Sequence, residues 1–129
     1  THSKISIRSS PIDTPLEEDD DYLIGKAYFD CRDYRQCVHA IRVESIGTAS
    51  QKHRPSHRAF FLRCYANYLL GEKIKEQEIQ ESENIASTNH SIVNKQIPET
   101  LSHLLIRQKD GILDAFGYYL LGIILRKEQ

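Results

Sequence analysis

Apolar residues recur at three- and four-residue spacing along most of this sequence, which is the period of an α-helix. The pattern begins with Leu23, Ile24 and Tyr28 and returns over residues 113–126. No segment alternates convincingly between apolar and polar residues, as a half-buried strand does. Only short turns separate several of the periodic segments, so neighbouring helices have to lie antiparallel. The sequence therefore predicts an all-α fold built from helical hairpins.

Local signals position the first three helices. An acidic run precedes Tyr22, and the helix dipole favours negative charge at a helix N-terminus, so the first helix is expected from about Glu18 to Cys31. Asp33 is the predicted N-cap of a second helix, because its side chain can accept a hydrogen bond from the first turn. A strongly aromatic third helix is expected to begin at Ser56.

Glycine and polar residues indicate the helix boundaries in the second half of the chain. Gly71 is predicted to stop the third helix, and a short polar helix over 73–80 is expected to complete a second hairpin. A loop is expected near 81–97, where polar residues are frequent. A fifth helix follows and ends at Asp110-Gly111, and the last helix occupies 113–126.

Small and aromatic residues fall at corresponding positions in these predicted helices. Gly25, Cys64 and Gly122 occupy the same small-residue position of three helices. The spacing resembles the tetratricopeptide repeat, in which a small residue on one helix lets the next helix pack closely. The residues assigned to this repeat packing are Gly25, Cys37, Cys64, Tyr118 and Gly122. The resemblance implies tetratricopeptide-repeat hairpins stacked into the start of a superhelix.

Three segments carry a more specific resemblance. They read DYLIGKAYFDCRD at 21–33, YANYLLGEK at 65–73 and LDAFGYYLLGIILRK at 113–127. Together they resemble the N-terminal region of the subunit-eight, or cell-division-cycle twenty-three, family of scaffold subunits of the anaphase-promoting complex. The resemblance implies a non-catalytic part of a ubiquitin ligase that controls cell-cycle progression, located in nucleus and cytoplasm. It also implies two kinds of partner, a second copy of the chain and other subunits of the complex.

Periodicity and the resemblance together give the expected domain organisation. Residues 1–16 show little periodicity and are expected to form a flexible N-terminal arm, whereas residues 17–129 are expected to form the repeat domain, with about two and a half hairpins and a truncated last unit. Ser10 and Thr14 each precede a proline in the arm, which makes them candidates for phosphorylation.

The first helix lacks the polar outer face of a terminal repeat, which favours pairing of two copies through the first hairpins. The dimer-interface candidates are Tyr22, Leu23, Tyr28, Phe29, Tyr34, Phe60 and Phe61. The last helix is also expected to present apolar surface at Ile123, Ile124 and Leu125. An alternative function is an adaptor whose concave groove binds an extended peptide, with Arg63 and Asn67 as the only pair suited to hold it.

Other kinds of chemistry lack support in the sequence. His53 and His57 have a zinc-compatible spacing, but Pro55 lies between them and no third ligand fits. No catalytic motif occurs, so we expect neither an enzyme nor a cofactor nor a small-molecule substrate. A net charge of -1 gives no electrostatic case for nucleic acid. The small basic cluster is expected to be a solvated turn; it consists of Lys52, His53, Arg54 and Arg58.

The cysteines and apolar runs indicate the environment of the chain. Cys31, Cys37 and Cys64 have no CxxC spacing and lie in helical segments, so buried thiols in a reducing compartment are expected. The apolar run from Tyr118 to Leu125 is far shorter than the roughly 20 residues that cross a bilayer, so no membrane partner is expected.

Overall fold

A computed structural model describes residues 19–43, 54–83 and 92–127. These residues form five α-helices and no strand, which confirms the all-α prediction. The helices are α1 (Asp20–Asp30), α2 (Tyr34–Ala40), α3 (His57–Glu83), α4 (Ile97–Lys109) and α5 (Ala115–Lys127). In this part of the chain no helix combines the length and the apolar character needed to cross a bilayer.

The first hairpin, α1 and α2, forms as its local sequence predicts. The Asp33 carboxylate accepts a hydrogen bond from the backbone N–H of Gln36 at 3.2 Å, so Asp33 is the N-cap of α2. Gly25 lies where α1 meets the end of α2, and a Cβ there would come within 2.6 Å of Ile41 Cδ1. The absence of a side chain at Gly25 therefore permits the close contact, as the repeat pattern requires.

The third helix is longer than the sequence indicates. Its start is confirmed, because Ser56 Oγ accepts a hydrogen bond from the Ala59 N–H at 3.2 Å ahead of His57. The predicted stop at Gly71 is wrong, and so is the separate helix over 73–80, since α3 continues without a break to Glu83. Gly71 has a packing role instead, because its missing side chain leaves room for the Asn94 side chain.

A buried polar cluster selects α4 as the antiparallel neighbour of α3. Asn67 Nδ2 donates to Thr100 Oγ1 and to Glu99 Oε1, both at 3.1 Å, and Gln96 Nε2 donates to Asn67 Oδ1 at 2.8 Å. Asn67 and Thr100 are both buried and cannot bind water. Their hydrogen bonds within the cluster replace the ones that they would make with water in the unfolded chain. The second hairpin is therefore α3 with α4.

In the described part of the chain two apolar clusters form the core, and α3 contributes to both. One joins α2 to the first turns of α3, with Cys37, Ile41 and Ala59 at its centre. The other joins α3 to α4 and α5, and Leu104 and Ile124 are fully buried in it. Because α3 packs in both clusters, it joins the first hairpin to α4 and α5.

The end of α4 is also predicted correctly. The helix ends at Lys109, Asp110 follows as its C-cap, and Gly111 has a positive φ of 74° that suits glycine. α5 then buries one side, including Leu120 and Ile124.

Some predictions fall on other parts of the chain. Residues 1–18, which include the predicted arm with Ser10 and Thr14, lie outside the described residues. So do residues 44–53, which contain Lys52 and His53, and residues 84–91 of the predicted loop near 81–97.

Candidate protein-interaction surface

Five aromatic side chains line an open groove formed by α1, α3 and the beginning of α5. The groove has a volume of about 640 Å³. We call it the aromatic groove and define it by Tyr22, Phe29, Phe61, Tyr65 and Phe116.

The rings of the groove touch one another across three helices. Phe29 of α1 lies 5.9 Å from Tyr65 of α3, measured between ring centroids. Phe61 stacks on Tyr65 at 5.6 Å and also contacts Phe116 of α5 at 5.6 Å. Contacts between aromatic rings restrict their orientations, and the ring faces that remain uncovered are an apolar surface that a partner can contact. The groove is thus a preformed, apolar concave surface.

A polar cluster closes one end of the aromatic groove. Asp19 Oδ2 accepts hydrogen bonds from Ser56 Oγ at 2.9 Å and from Arg58 Nε at 2.8 Å. The Arg58 guanidinium carbon lies 4.2 Å from the centre of the Tyr22 ring. The beginnings of α1 and α3 are therefore joined directly beside the groove.

A second apolar surface lies on the opposite side of α1. Leu23, Ile24 and Tyr28 are exposed there, with 53% of Leu23 accessible to solvent. An α-helix turns about 100° per residue, so these three positions face away from the stripe formed by Tyr22 and Phe29. We call this surface, Leu23, Ile24 and Tyr28, the outer face of α1. These exposed apolar side chains make this side of α1 a candidate interaction surface.

The exposed side of α5 is a third apolar surface. Tyr119 is 70% exposed, and Phe116, Tyr118 and Leu125 are exposed as well. A Cβ at Gly122 would meet no described atom within 4 Å. Among the described residues, the Tyr118 and Gly122 positions therefore have no neighbouring helix, whereas Gly25, Cys37 and Cys64 are packed inside.

The predicted interface residues divide among these surfaces. Tyr22, Phe29 and Phe61 line the aromatic groove, and Leu23 and Tyr28 lie on the outer face of α1. Tyr34 is half-buried, and its ring lies 5.4 Å from that of Phe29.

Phe60 does not belong with these residues. Only 3% of Phe60 is exposed, so it cannot contact a partner. It packs in the core, and the guanidinium carbon of Arg107 lies 4.1 Å from its ring centre. Adjacent residues of a helix point in different directions, so Phe60 and Phe61 cannot both face the groove.

The last helix also departs in part from its prediction. Leu125 is exposed as expected and Ile123 is half-buried, but Ile124 is fully buried against α3 and α4 and offers no surface. Four surface residues were absent from the candidates: Ile24, Tyr65, Phe116 and Tyr119. Tyr65 follows Phe61 by four residues, so helical spacing would have placed it on the same face.

The pair suited to clamp a peptide is used inside the fold. Arg63 Nε donates to the backbone carbonyls of Ile41 at 3.1 Å and Val38 at 3.2 Å, which satisfies the end of α2. Asn67 is buried between α3 and α4. Both side chains are therefore engaged within the fold.

Among the residues that the structure describes, the thiols and possible metal ligands show no reactive arrangement. Burial raises the pKa of the Cys37 thiol to about 11, so Cys37 stays protonated at neutral pH. Cys64 is buried too, whereas Cys31 is exposed, so the prediction of burial is wrong for Cys31. Within the described ranges, no group of three or more side chains is arranged to hold a metal ion.

Stacked helical hairpins define an all-α helical-repeat protein of the tetratricopeptide type. The sequence matches the family described as "Anaphase promoting complex subunit 8 / Cdc23" over residues 6–129. The chain belongs to this family.

Individual relatives agree with this assignment. The chain is 36% identical to Anaphase-promoting complex subunit 8 of Arabidopsis thaliana, with 95% of this chain and 20% of the relative covered. It is 34% identical to the Cell division cycle protein 23 homolog of Mus musculus, with 88% and 18% covered. The Homo sapiens homolog is 35% identical, with 84% and 16% covered. The chain thus spans a fifth or less of the length of these relatives.

Proposed function

We propose that this chain is a non-catalytic scaffold segment of an anaphase-promoting complex subunit and that it pairs two copies through α1. Family membership supports assignment of the chain to the anaphase-promoting complex, because the family and the Arabidopsis thaliana relative are both named as subunit 8 of that complex. Within this assignment, the partners are a second copy and the other subunits of the ubiquitin ligase.

The observation that carries the pairing is the outer face of α1. Leu23, Ile24 and Tyr28 are exposed on a helix whose opposite side already lines the aromatic groove. A two-fold contact uses the same patch on both copies, so one apolar stripe covers its own counterpart. Large apolar side chains in the centre of such a contact supply most of the binding energy.

Leu23→Glu is the sharpest test of this pairing. Leu23 is 53% exposed, so the substitution costs the folded monomer little. In a two-fold dimer it introduces two carboxylates into one interface, and burying unpaired charge is strongly unfavourable. We expect the dimer dissociation constant, measured by sedimentation equilibrium, to rise at least about 100-fold, or about 2.7 kcal/mol.

Ile106→Glu is the matched control. Ile106 is 51% exposed on α4, so this variant makes the same kind of change at similar exposure, away from α1. We expect its mass distribution to equal that of the unmodified chain. Wild-type chains that remain monomeric at micromolar concentration would refute the pairing. So would equal weakening by both substitutions.

A second candidate function is binding of an extended peptide in the aromatic groove. The groove volume of about 640 Å³ and its aromatic lining favour it. The internal use of Arg63 and Asn67 disfavours it, because the pair predicted to hold the peptide is engaged within the fold. For a peptide adaptor, Leu23→Glu leaves the mass unchanged, which separates the two functions.

A further inference from the structure

Basic side chains surround the turn that joins α1 to α2. Arg32 lies in this turn, Arg35 lies in α2, and Lys73 and Lys75 lie in α3. These side chains line two adjacent hollows of about 490 and 250 Å³, which share Arg32, Tyr34 and Lys73. We call this surface, Arg32, Tyr34, Arg35, Lys73 and Lys75, the basic patch.

The carboxylates beside the basic patch mostly serve the fold. Asp33 caps α2, and Glu72 accepts hydrogen bonds from Asn94 Nδ2 at 2.9 Å and from Lys127 Nζ at 3.3 Å. Of the carboxylates that line the hollows, only Glu76 makes no such bond within the described part of the chain. The basic side chains of the patch form no ion pair with any described carboxylate. Their positive charge is therefore left for a partner.

Arg32 stands where the fold alone favours glycine. Its φ is 63°, in the left-handed region, and its N–H donates to Phe29 O at 2.8 Å while the Asp33 N–H donates to Tyr28 O at 2.9 Å. Glycine is the usual residue at such a helix end, because a side chain is strained there. The Arg32 side chain is exposed, so burial does not offset the strain. A side chain kept at a strained position indicates a role outside the fold.

Apolar groups accompany the positive charges. The Tyr34 ring is half-buried, and Lys73 Nζ lies 6.0 Å from its centre. Leu69 and Ile79 line the larger hollow, and Ile74 lines the smaller one. A surface of this kind is complementary to a chain that carries carboxylates next to apolar side chains. Nucleic acid fits it less well, because it offers no apolar side chains and the net charge of the protein is -1.

We propose that the basic patch binds an acidic segment of a partner protein, in which carboxylates contact Arg32 and Arg35 and an apolar side chain contacts Tyr34. Arginine suits this role because its planar guanidinium can donate two parallel hydrogen bonds to one carboxylate. The site is distinct from the aromatic groove and from the outer face of α1, and it does not depend on pairing of two copies.

The first experiment measures binding of a short synthetic peptide of glutamate and leucine to the whole chain. Fluorescence anisotropy of the labelled peptide gives the dissociation constant. We expect the constant to rise at least about tenfold when glutamine replaces every glutamate. We also expect weaker binding when the salt concentration rises from about 0.05 to about 0.2 M, because salt screens exposed charges. Equal binding of the two peptides overturns the proposal.

Arg32→Gly separates binding from stability. We expect it to raise the dissociation constant of the glutamate peptide about fivefold. We also expect a higher urea midpoint, because glycine adopts a positive φ without strain. Lys109→Gln is the control, since it removes an exposed positive charge from α4, away from the basic patch. Its dissociation constant should change less than about twofold. Equal effects of the two variants on binding, or a loss of stability in Arg32→Gly, overturn the role of Arg32.

Lys73→Gln is a second, independent variant, and it serves as the test if Arg32→Gly does not fold. It removes a charge from the same patch without changing the turn, and we expect the dissociation constant to rise about threefold to fivefold. Unchanged peptide binding in folded Lys73→Gln overturns the proposal. So does tighter binding of a single-stranded oligothymidine that both patch variants weaken, because the patch would then bind nucleic acid.

Discussion

Gly71→Ala tests why α3 continues past a residue that usually ends a helix. A Cβ at Gly71 would overlap the Asn94 side chain, so Asn94 has to move. Asn94 is buried and makes three hydrogen bonds: Nδ2 donates to Tyr68 O at 3.1 Å and to Glu72 Oε2 at 2.9 Å, and Oδ1 accepts from the Gln96 N–H at 2.9 Å. Losing them costs about 3 kcal/mol at about 1 kcal/mol each. Alanine regains about 1 kcal/mol of helix propensity.

The expected net result is a loss of about 2 kcal/mol in the free energy of unfolding. With a urea dependence near 2 kcal/mol per molar, the unfolding midpoint falls by about 1 M. Gly122→Ala is the matched control, because Gly122 also lies inside a helix and a Cβ there meets no described atom within 4 Å. We expect it to raise stability by about 0.5–1 kcal/mol. A Gly71→Ala chain as stable as the Gly122→Ala chain would refute the packing argument.

Two further predictions concern acid stability and thiol reactivity. Burial alone would raise the pKa of Glu72, but hydrogen bonds from Asn94 and Lys127 outweigh it and the pKa is lowered from 4.5. Its contribution to stability is therefore present above pH 4.5 and lost as the pH falls through the lower folded-state value, so Glu72→Gln should flatten the acid limb of a stability-against-pH curve. An unchanged acid limb would contradict this. In the native protein a thiol reagent should modify exposed Cys31 rapidly and buried Cys37 only on unfolding, as mass spectrometry after limited labelling would show; equal rates would contradict the packing of α2.

Three helix boundaries, the starts of α2 and α3 and the end of α4, could be predicted because local chemistry determines them. Asp33 caps α2 through its own side chain, Ser56 accepts from the first turn of α3, and Gly111 supplies a positive φ after α4. Each signal depends on atoms only a few residues apart, so the sequence contains all of the information.

The extent of α3 could not be predicted in the same way. A glycine such as Gly71 can end a helix or lie inside one. Its position inside α3 depends on packing against Asn94, which is more than twenty residues away in the sequence. The pairing of α3 with α4 likewise depends on the buried Asn67–Thr100 hydrogen bond at 3.1 Å, which joins distant parts of the chain. Periodicity identifies apolar faces but does not say which faces meet.

The same limit applies to the interaction surface. The sequence indicates apolar residues on both sides of α1, including Tyr22 and Leu23. It could not separate Phe60, which is buried, from Phe61, which lines the groove, because both fit an apolar helix. The hydrogen bonds that Asp19 accepts from Ser56 and Arg58 join residues that are distant in the sequence, so helical periodicity could not predict them.

The central claim, pairing through α1, is tested most directly by isotope-filtered nuclear Overhauser spectroscopy. The sample mixes isotopically labelled and unlabelled chains, so that only contacts between copies give cross-peaks. Pairing through α1 predicts intermolecular cross-peaks to Leu23, Ile24 and Tyr28. Cross-peaks confined to the exposed side of α5, or none in a sample whose mass is that of one chain, would contradict it.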